Sequence, residues 1–440
     1  MNDPTASPQP YFERILGVRR DELVAVAWSF VYFFCVLSSY YMLRSVREAM
    51  AVEVGFRNVP WLFSGTFVAM LLIAPVFGFI ASRFPRKTFL PWVYYFFTAN
   101  ILIFWGLFTS NPEGSETFKT VGITFFIWLS VFNLFVVSVF WSFMADIYTK
   151  TQSRRLFGLI SSGGSAGAIL GPFMTSVLVV PIGFENMLPI SAAILLVAVV
   201  CISKLKRWVA VEHESDAEST VVSDRALGGT WLSGAAAVFR EPYLIWMGCG
   251  SVIASLMGTA LYMFNIELAG QYFESTDTRV QFFARLDFFT SSLALLGQLL
   301  VVRHSVSRLG LGITLAIMPI ISIAGFLLLA VHPVFMVVAV LTVVRRAIGF
   351  GLTKPSSDML YSVVPDEQKY KSKNFIDTAI YRGGDLFGTW TIRGLQGLGL
   401  GISGIALVLL PFGIIWAALA ILLGREYLRR EAAMKPAASN

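Results

Sequence analysis

The chain has 440 residues, of which 56% are hydrophobic and only 14% are charged. A soluble globular protein carries about 25% charged residues, so this composition excludes an ordinary soluble domain. The apolar residues recur in blocks of about 20, the length of helix that crosses a hydrocarbon core of roughly 30 Å. The sequence therefore predicts an all-α membrane protein with many spanning helices.

The formal net charge of +7 would indicate a nucleic-acid partner in a soluble protein. Here the basic residues fall between the apolar blocks, as expected for loops that face the cytoplasm, and we predict no nucleic-acid partner. The cysteines at 35, 201 and 249 show no paired spacing, so neither a disulfide framework nor a metal site is indicated. Residues 1–20 contain no apolar segment typical of a cleaved signal peptide, so the first span is expected to be an uncleaved anchor.

Twelve apolar segments are predicted to span the membrane. In chain order, spans 1 to 12 cover 23–43, 59–82, 88–109, 119–144, 157–180, 184–203, 243–266, 282–302, 311–331, 334–353, 374–396 and 400–424. The predicted division is a cytoplasmic N-terminal segment (1–22), a six-helix bundle (23–203), a cytoplasmic linker (204–242), a second six-helix bundle (243–424) and a cytoplasmic tail (425–440). Within the linker, TWLSGAAAVFREP (230–242) is predicted to form an amphipathic helix on the membrane surface.

Lys and Arg are concentrated in alternate connections. The connections after the even-numbered spans read RFPRK (83–87), TKTQSRR (149–155), KLKR (204–207), RHSVSR (303–308) and KYKSK (369–373), and the tail holds REYLRR (425–430). The intervening loops contain fewer basic residues, so the positive-inside rule places both termini in the cytoplasm. We expect a multi-pass protein of the cell inner (cytoplasmic) membrane that is monomeric and has the lipid bilayer as its surroundings.

The two halves of the chain share a sequence pattern. In each half an acidic, polar stretch ends a span, a basic connection follows, and a pair of glycines lies in the next span, at Gly163-Gly164 and Gly383-Gly384. Two six-span pseudo-repeats are the plan of major facilitator transporters, whose solute site is expected between the repeats near the membrane midplane. GFIASRFPRK (78–87) resembles the signature loop of that superfamily, although Ser82 replaces the usual acid and Pro85 the usual glycine. A positive-inside anchor is the equally favoured interpretation of these loop residues: Arg83, Arg86 and Lys87.

Three glycines of span 5, Gly163, Gly167 and Gly171, recur every four residues and so share one helix face. Small residues on one face let two membrane helices approach closely. Helix packing is the favoured interpretation, although the GxxxGP ending also resembles a motif of facilitator antiporters.

Charged residues inside spans are functional candidates because burying a charge in lipid requires a partner or a water-filled cavity. Arginine binds carboxylate or phosphate with a planar fork and keeps its charge at any relevant pH. The predicted substrate-binding residues are Arg44, Arg47, Arg345, Arg346 and Arg382. Adjacent helix residues point about 100° apart, so only one of Arg345 and Arg346 is expected to face a cavity fully.

Acidic residues in or beside the spans are predicted to gate the protein or to pair with these arginines when the site is empty. They are Glu48, Asp146, Asp287, Asp377 and Asp385. Glu48 and Asp385 stand four and three residues after Arg44 and Arg382, which is the spacing of neighbours on a helix. The chain contains no phosphate-binding glycine loop, zinc-ligand spacing or catalytic triad, so we predict neither an enzyme nor a cofactor.

Three stretches together resemble the ATP/ADP (nucleotide) translocase family of plastids and intracellular bacteria. They are YYMLRSVREA (40–49), FWSFMADIYTKTQSRRLFGLISSGG (140–164) and DMLYSVVPDEQKYKSKNFIDTAIYRGGDLFG (358–388). The resemblance implies a facilitator-type antiporter for nucleotides or related phosphorylated metabolites. By position it also implies roles for Arg44 and Arg47 and, where span 11 begins, for Lys371, Lys373 and Asp377. The chain departs from the family in its shorter length and in the pair Arg345-Arg346.

The favoured function is therefore secondary active transport of an organic anion by antiport and alternating access. The alternative is a proton-coupled major facilitator exporter of drugs or siderophore-like compounds, with Glu48, Asp287 or Asp385 carrying the proton. A third hypothesis, a membrane scaffold or sensor that transports nothing, predicts no use for arginines at mid-depth.

Overall fold

A computed structural model describes the backbone of residues 18–83, 86–215, 231–300 and 302–434. These residues are almost all helical, and no strand occurs among them. Helices are expected in lipid because a helix satisfies its own backbone hydrogen bonds where no water can do so. The predicted all-α class is confirmed.

Each of the twelve predicted spans overlaps a long helix, and predicted spans 10 and 11 also include a π-helical turn. In order, the helices are Leu23–Val54, Val59–Arg83, Arg86–Ser110, Glu116–Ile147, Lys150–Ile182, Met187–Ser215, Pro242–Tyr272, Thr276–Leu300, Val302–Val331, Phe335–Ile348, Tyr381–Gly397 and Ile402–Met434. Within the described residues, ten segments are long and apolar enough to cross a membrane. The helices of spans 8 and 11 are not among the ten, and both carry charged residues in their first turns.

Spans 10 and 11 are joined by a more elaborate path than the sequence predicts. A π-helical turn over Gly349–Thr353 follows the helix Phe335–Ile348 and leads into Lys354–Met359 and a 3₁₀ turn over Leu360–Val363. A helix over Asp366–Phe375 and a second π-helical turn over Ile376–Ile380 then lead into the helix Tyr381–Gly397.

The predicted KYKSK loop is wrong, because Lys371 and Lys373 lie in the helix Asp366–Phe375. Pro365 occupies the N-cap of this helix. Proline has no backbone N–H, and none is needed for a helical hydrogen bond at that position.

Other predicted loops are also helical, and one of them, KLKR (204–207), lies inside the helix Met187–Ser215. The TKTQSRR stretch begins the helix of span 5, because Thr149 and Gln152 form a reciprocal capping box at its first turn. The RHSVSR stretch lies in the helix of span 9, which is interrupted at Gly310 with a φ of 77°. Glycine adopts that left-handed conformation without the steric strain of a Cβ. Capping and a single glycine break therefore decide where these spans begin. The predicted surface helix is confirmed as a helix at Trp231–Arg240.

The chain divides into two compact units. The first, here the N-terminal unit, comprises Met1–Met50, Ala69–Val222 and Ser275–Phe288. The second, here the C-terminal unit, comprises Ala51–Val68, Ser223–Glu274 and Phe289–Asn440. The helices of spans 1, 2 and 8 thus contribute residues to both units.

The core of the N-terminal unit is rich in aromatic side chains. Phe33 stacks on Phe140 with 4.1 Å between ring centroids, and the hydroxyl of Tyr32 donates to that of Tyr94 at 2.6 Å. The glycine face of span 5 packs against span 1: a Cβ at Gly163, Gly167 or Gly171 would meet the carbonyl oxygens of Phe30, Phe34 and Ser38, respectively. The predicted close helix approach is confirmed.

Candidate functional site

The N-terminal unit buries a four-residue charge cluster, here called the N-cluster, formed by Arg44, Arg47, Glu48 and Asp287. The Oε1 of Glu48 lies 2.6 Å from Nη2 of Arg47 and 3.6 Å from Nε of Arg44. The Oδ2 of Asp287 lies 3.6 Å from the same Nε of Arg44. Because span 1 extends to Val54, both arginines stand inside the helix rather than in a terminal turn.

The N-cluster is almost dry. The side chains of Glu48 and Asp287 are 6% and 3% exposed, and those of Arg44 and Arg47 are 18% and 15% exposed. The guanidinium of Arg47 also lies 4.6 Å above the ring of Phe126. Two arginines and two carboxylates make the cluster formally neutral, so each buried cation has a nearby counter-charge.

Among the described residues of the C-terminal unit, Arg345 is the most deeply buried charged residue, with 5% of its surface exposed. Its Nη2 donates to the carbonyl of Ala254 in span 7, and its Nε donates to the hydroxyl of Ser322 in span 9 at 3.2 Å. The ring of Trp416 in span 12 lies 5.8 Å from its Cζ. Among the residues that the structure describes, no carboxylate lies within ion-pair distance of Arg345.

Gly258 makes room for this guanidinium. A Cβ at Gly258 would lie 2.8 Å from Nη1 of Arg345, well inside van der Waals contact. The neighbouring Arg346 is only half-buried. The structure thus separates the two arginines: Arg345 is packed inside the C-terminal unit, and Arg346 is the more accessible of the pair.

Arg382 and Asp385 lie one turn apart on span 11, as their spacing predicts. The nearest oxygen of Asp385 is 3.8 Å from Nη1 of Arg382, which is within ion-pair range but beyond a hydrogen bond. The side chain of Arg382 is 49% exposed, whereas that of Asp385 is 15% exposed. Asp385 instead accepts a hydrogen bond from the hydroxyl of Ser255 at 2.5 Å, with the hydroxyl of Thr259 at 3.5 Å.

Arg345 and Asp385 contact adjacent residues of span 7, Ala254 and Ser255 respectively. Tyr381 precedes Arg382 directly, and its backbone carbonyl accepts a hydrogen bond at 3.3 Å from the same Ser255 hydroxyl that contacts Asp385. We call the set Arg345, Tyr381, Arg382 and Asp385 the C-cluster. It holds two arginines beside one carboxylate.

A second set of charges in the C-terminal unit corrects the prediction for Asp377. Asp377 pairs with Lys354 at 2.6 Å, not with an arginine. Lys354 also lies 3.3 Å from Asp358, and Asp358 lies 2.9 Å from Lys373. The helix Asp366–Phe375 and the two π-helical turns bring these four residues together, so Asp377 lies opposite Lys354.

The remaining predicted residues are not joined to these clusters by the contacts above. Asp146 is exposed near the end of span 4, and Lys371 is half-buried. The side chains of Arg83, Arg86 and Lys87 lie outside the described residues.

Sequence reasoning missed the residues that hold the predicted charges. Ser255 and Thr259 are four residues apart on one face of span 7, and Lys354 and Asp358 have the same spacing. That spacing of polar residues beside or within an apolar segment is the signal that would have found them.

The model of the Major Facilitator Superfamily matches residues 28–388. The chain belongs to the Major Facilitator Superfamily. This protein is therefore a multi-pass membrane transporter rather than an enzyme. A search of curated proteins gave no sequence match.

Solved transporters share the fold of this facilitator. A bacterial homologue of the iron transporter ferroportin aligns with a TM-score of 0.63 at 11% identity, over 93% of this chain and 99% of that chain. The nucleoside transporter NupG aligns with a TM-score of 0.57 at 16% identity, over 94% and 99% of the two chains. PepTSo, a transporter of the POT family, aligns with a TM-score of 0.59 at 14% identity, over 93% and 99%. At these identities the likeness concerns the fold alone.

Proposed function

We propose that this facilitator carries a small organic anion, a nucleotide or a related phosphorylated metabolite, by antiport and alternating access. The observation that carries the proposal is the excess of cations in the C-cluster. Arg345 has no carboxylate within ion-pair distance in the described structure, and Arg382 has only Asp385, at 3.8 Å. An anionic group would supply the missing counter-charge.

Arg382 is the residue best suited to contact the solute. Its side chain is half exposed, and its single carboxylate neighbour is too distant for a hydrogen bond. Arg345 acts from behind it as a fixed positive charge, because it is buried and hydrogen bonds to Ala254 and Ser322 hold two of its five N–H donors in place. Tyr381, 44% exposed, presents an aromatic ring beside these cations on which a nucleobase could stack.

The choice of a nucleotide-like solute rests on the resemblance to the ATP/ADP translocase family. NupG, which shares the fold, is a nucleoside transporter. An inner-membrane location with cytoplasmic termini belongs to the same proposal, because the basic connections agree with it.

The test is a thermal-shift titration of the purified protein with ADP, ATP, pyrophosphate, dicarboxylates and an iron–siderophore complex. A ligand that binds only the folded protein raises the melting midpoint with concentration. Losing one charge-assisted hydrogen bond of about 1.5–3 kcal/mol should weaken binding about 10- to 100-fold in Arg382→Gln. Arg393→Gln is the matched control, since Arg393 lies on the same helix and donates to the carbonyl of Arg57 at 2.6 Å.

Antiport is tested in proteoliposomes that are loaded with the anion or left empty. Uptake of labelled anion should require anion inside. Uptake into empty vesicles, or a titration in which every anion leaves the midpoint unchanged, would exclude this function.

One observation favours a second candidate, the proton-coupled exporter. Asp385 is a mostly buried carboxylate whose closest partner is a hydroxyl, that of Ser255, rather than a cation. Such a group could take up and release a proton during transport. Abolition of transport by an uncoupler together with loss of coupling in Asp385→Asn would support the exporter over the antiporter.

A further inference from the structure

Four charged residues form an alternating network where spans 10 and 11 approach their basic connection. Lys354 pairs with both Asp377 and Asp358, and Asp358 pairs with Lys373, at distances of 2.6, 3.3 and 2.9 Å. Their side chains are between 36% and 47% exposed. The lysines are thus accessible to solvent while they are paired with carboxylates.

Stability alone gives little reason for this network. Exposed ion pairs contribute about 0–1 kcal/mol each. The shortest pair, Lys354 with Asp377, lies at irregular backbone. Lys354 follows the π-helical turn Gly349–Thr353, and Asp377 lies inside the turn Ile376–Ile380. Single π-helical turns occur frequently at functional sites, so the position favours a role in function.

A cavity of about 100 Å³ opens beside the network. Its lining includes Lys354 and Asp377 of the network together with Thr353, Ser357 and Tyr361. At roughly 30 Å³ for each water molecule it has room for about three waters, or for one small anionic group. The hydroxyl oxygen of Thr353 is buried there without a hydrogen-bond partner, so one donor next to Lys354 is unused.

We infer that Lys354 and Lys373 form a second anion site, distinct from the C-cluster, for a phosphate or carboxylate group. Asp358 and Asp377 occupy the lysines until the anion displaces them, and the Thr353 hydroxyl donates to the anion beside Lys354. This inference rests on the proposed anion transport. It adds a separate binding step at the end of spans 10 and 11.

The positions along the chain suit a path from this site to the C-cluster. Lys373 precedes Arg382 by nine residues, and Lys354 follows Arg345 by nine. At 1.5 Å of rise for each residue each separation corresponds to about 13.5 Å, or about two and a half helical turns. An anion that arrives from the basic connection would therefore meet the two lysines about two and a half turns before the arginines of the C-cluster.

The experiment compares Asp358→Asn with Lys373→Gln, using pyrophosphate as the probe and binding affinity as the readout. Displacement predicts opposite signs: Asp358→Asn removes a competitor and tightens binding, whereas Lys373→Gln removes a donor and weakens it. About 1 kcal/mol for each pair gives changes of about fivefold in either direction. If the network only stabilises the fold, both variants should change the affinity for pyrophosphate in the same direction. That result would overturn the inference.

Two further variants keep the test falsifiable if a substitution disturbs folding. Lys373→Arg retains the charge and should bind pyrophosphate as the wild type does. Thr353→Val keeps the shape of the side chain, removes the unpartnered hydroxyl, and should weaken binding without lowering the melting midpoint of the free protein. Full binding by both Thr353→Val and Lys373→Gln would contradict the proposed site.

The background Arg382→Gln separates this inference from the proposed function. If both are right, residual pyrophosphate binding in Arg382→Gln still depends on Lys373. If Arg382→Gln leaves wild-type binding unchanged while the lysine variants differ in sign, the proposed function fails and the second site stands. The titrations are repeated in phosphatidylcholine nanodiscs with and without phosphatidylglycerol. If Lys373→Gln weakens binding of the anionic lipid but not of pyrophosphate, the site binds a lipid headgroup. That result would overturn its role in transport.

Discussion

The N-cluster and the C-cluster are both charge groups within helical spans, yet they differ in charge balance and access. In the N-cluster, Arg44 and Arg47 face Glu48 and Asp287, and both carboxylates are less than 7% exposed. In the C-cluster, Arg345 is held by a carbonyl and a hydroxyl, and Arg382 is 49% exposed. A balanced, dry cluster is suited to holding helices together, whereas an unbalanced, accessible one is suited to binding an anion.

The clearest way to break this comparison is to neutralise one acid in each cluster. Glu48→Gln leaves Arg44 and Arg47 short of a buried counter-charge, and removing one partner of a buried pair costs about 3–5 kcal/mol. Asp385→Asn keeps an acceptor for Ser255 and leaves a half-exposed arginine, so we expect a loss of about 1 kcal/mol or less. Denaturation of the purified protein in detergent measures both losses.

Glu116→Gln is the control for this pair of variants. Its carboxylate is 90% exposed and pairs with Lys119 at 2.9 Å, so the denaturation midpoint should not move. Equal losses in Glu48→Gln and Asp385→Asn would show that the two clusters do not differ in this way.

A smaller effect is expected from crowding the guanidinium of Arg345. In Gly258→Ala the new Cβ would lie 2.8 Å from Nη1, so the guanidinium of Arg345 must shift. Because Nη1 is the end of a flexible side chain, the loss of stability should lie at the low end of the about 1–3 kcal/mol typical of overpacking, and anion binding should weaken as the fixed charge is displaced. Thermal denaturation and the pyrophosphate titration measure the two effects.

Gly394→Ala is the matched control on span 11, because a Cβ there meets no atom within 4 Å. It should be neutral or slightly stabilising, since alanine favours a helix over glycine. Wild-type stability and anion binding in Gly258→Ala would show that the position of Arg345 is not fixed by this contact.

The smallest expected effect concerns an acid of the N-terminal unit that lies outside the spans. Glu22 is 1% exposed and accepts hydrogen bonds from Arg155 at 2.6 Å and Gln152 at 3.1 Å. Burial alone would raise the pKa of Glu22. The hydrogen bonds from the Arg19 N–H, Gln152 and Arg155 outweigh that effect and hold the pKa below its ordinary value of 4.5.

A lowered folded pKa contributes stability that is present above pH 4.5 and is lost as pH falls through the folded value. Glu22→Gln should therefore lower the free energy of unfolding at neutral pH. Because Arg155 is partly exposed, we expect a loss of about 1 kcal/mol. Below pH 4.5 the variant should lose less stability with falling pH than the wild type does. Melting midpoints measured against pH test this, with Glu116→Gln expected to follow the wild-type slope. An unchanged acid slope in Glu22→Gln would contradict the role of this carboxylate.

Contacts within one helix were predictable from the sequence, and contacts between distant helices were not. The pairs Arg44–Glu48 and Arg382–Asp385 follow from their helical spacing. The pairs Arg44–Asp287 and Lys354–Asp377 join residues on different helices. The second of these also depends on two π-helical turns for which the hydrophobic pattern contains no signal.

The sequence by itself determined the all-α class of the protein, the long helices that its predicted spans overlap and the glycine face of span 5. Hydrophobic length and residue spacing are local properties, and in lipid they act almost without competition from other folds. Only the tertiary structure decided that Arg345 is packed inside the C-terminal unit while Arg346 is more accessible. The choice depends on which helices bring Ala254, Gly258 and Ser322 to one side of span 10, and no local pattern around the two arginines encodes it.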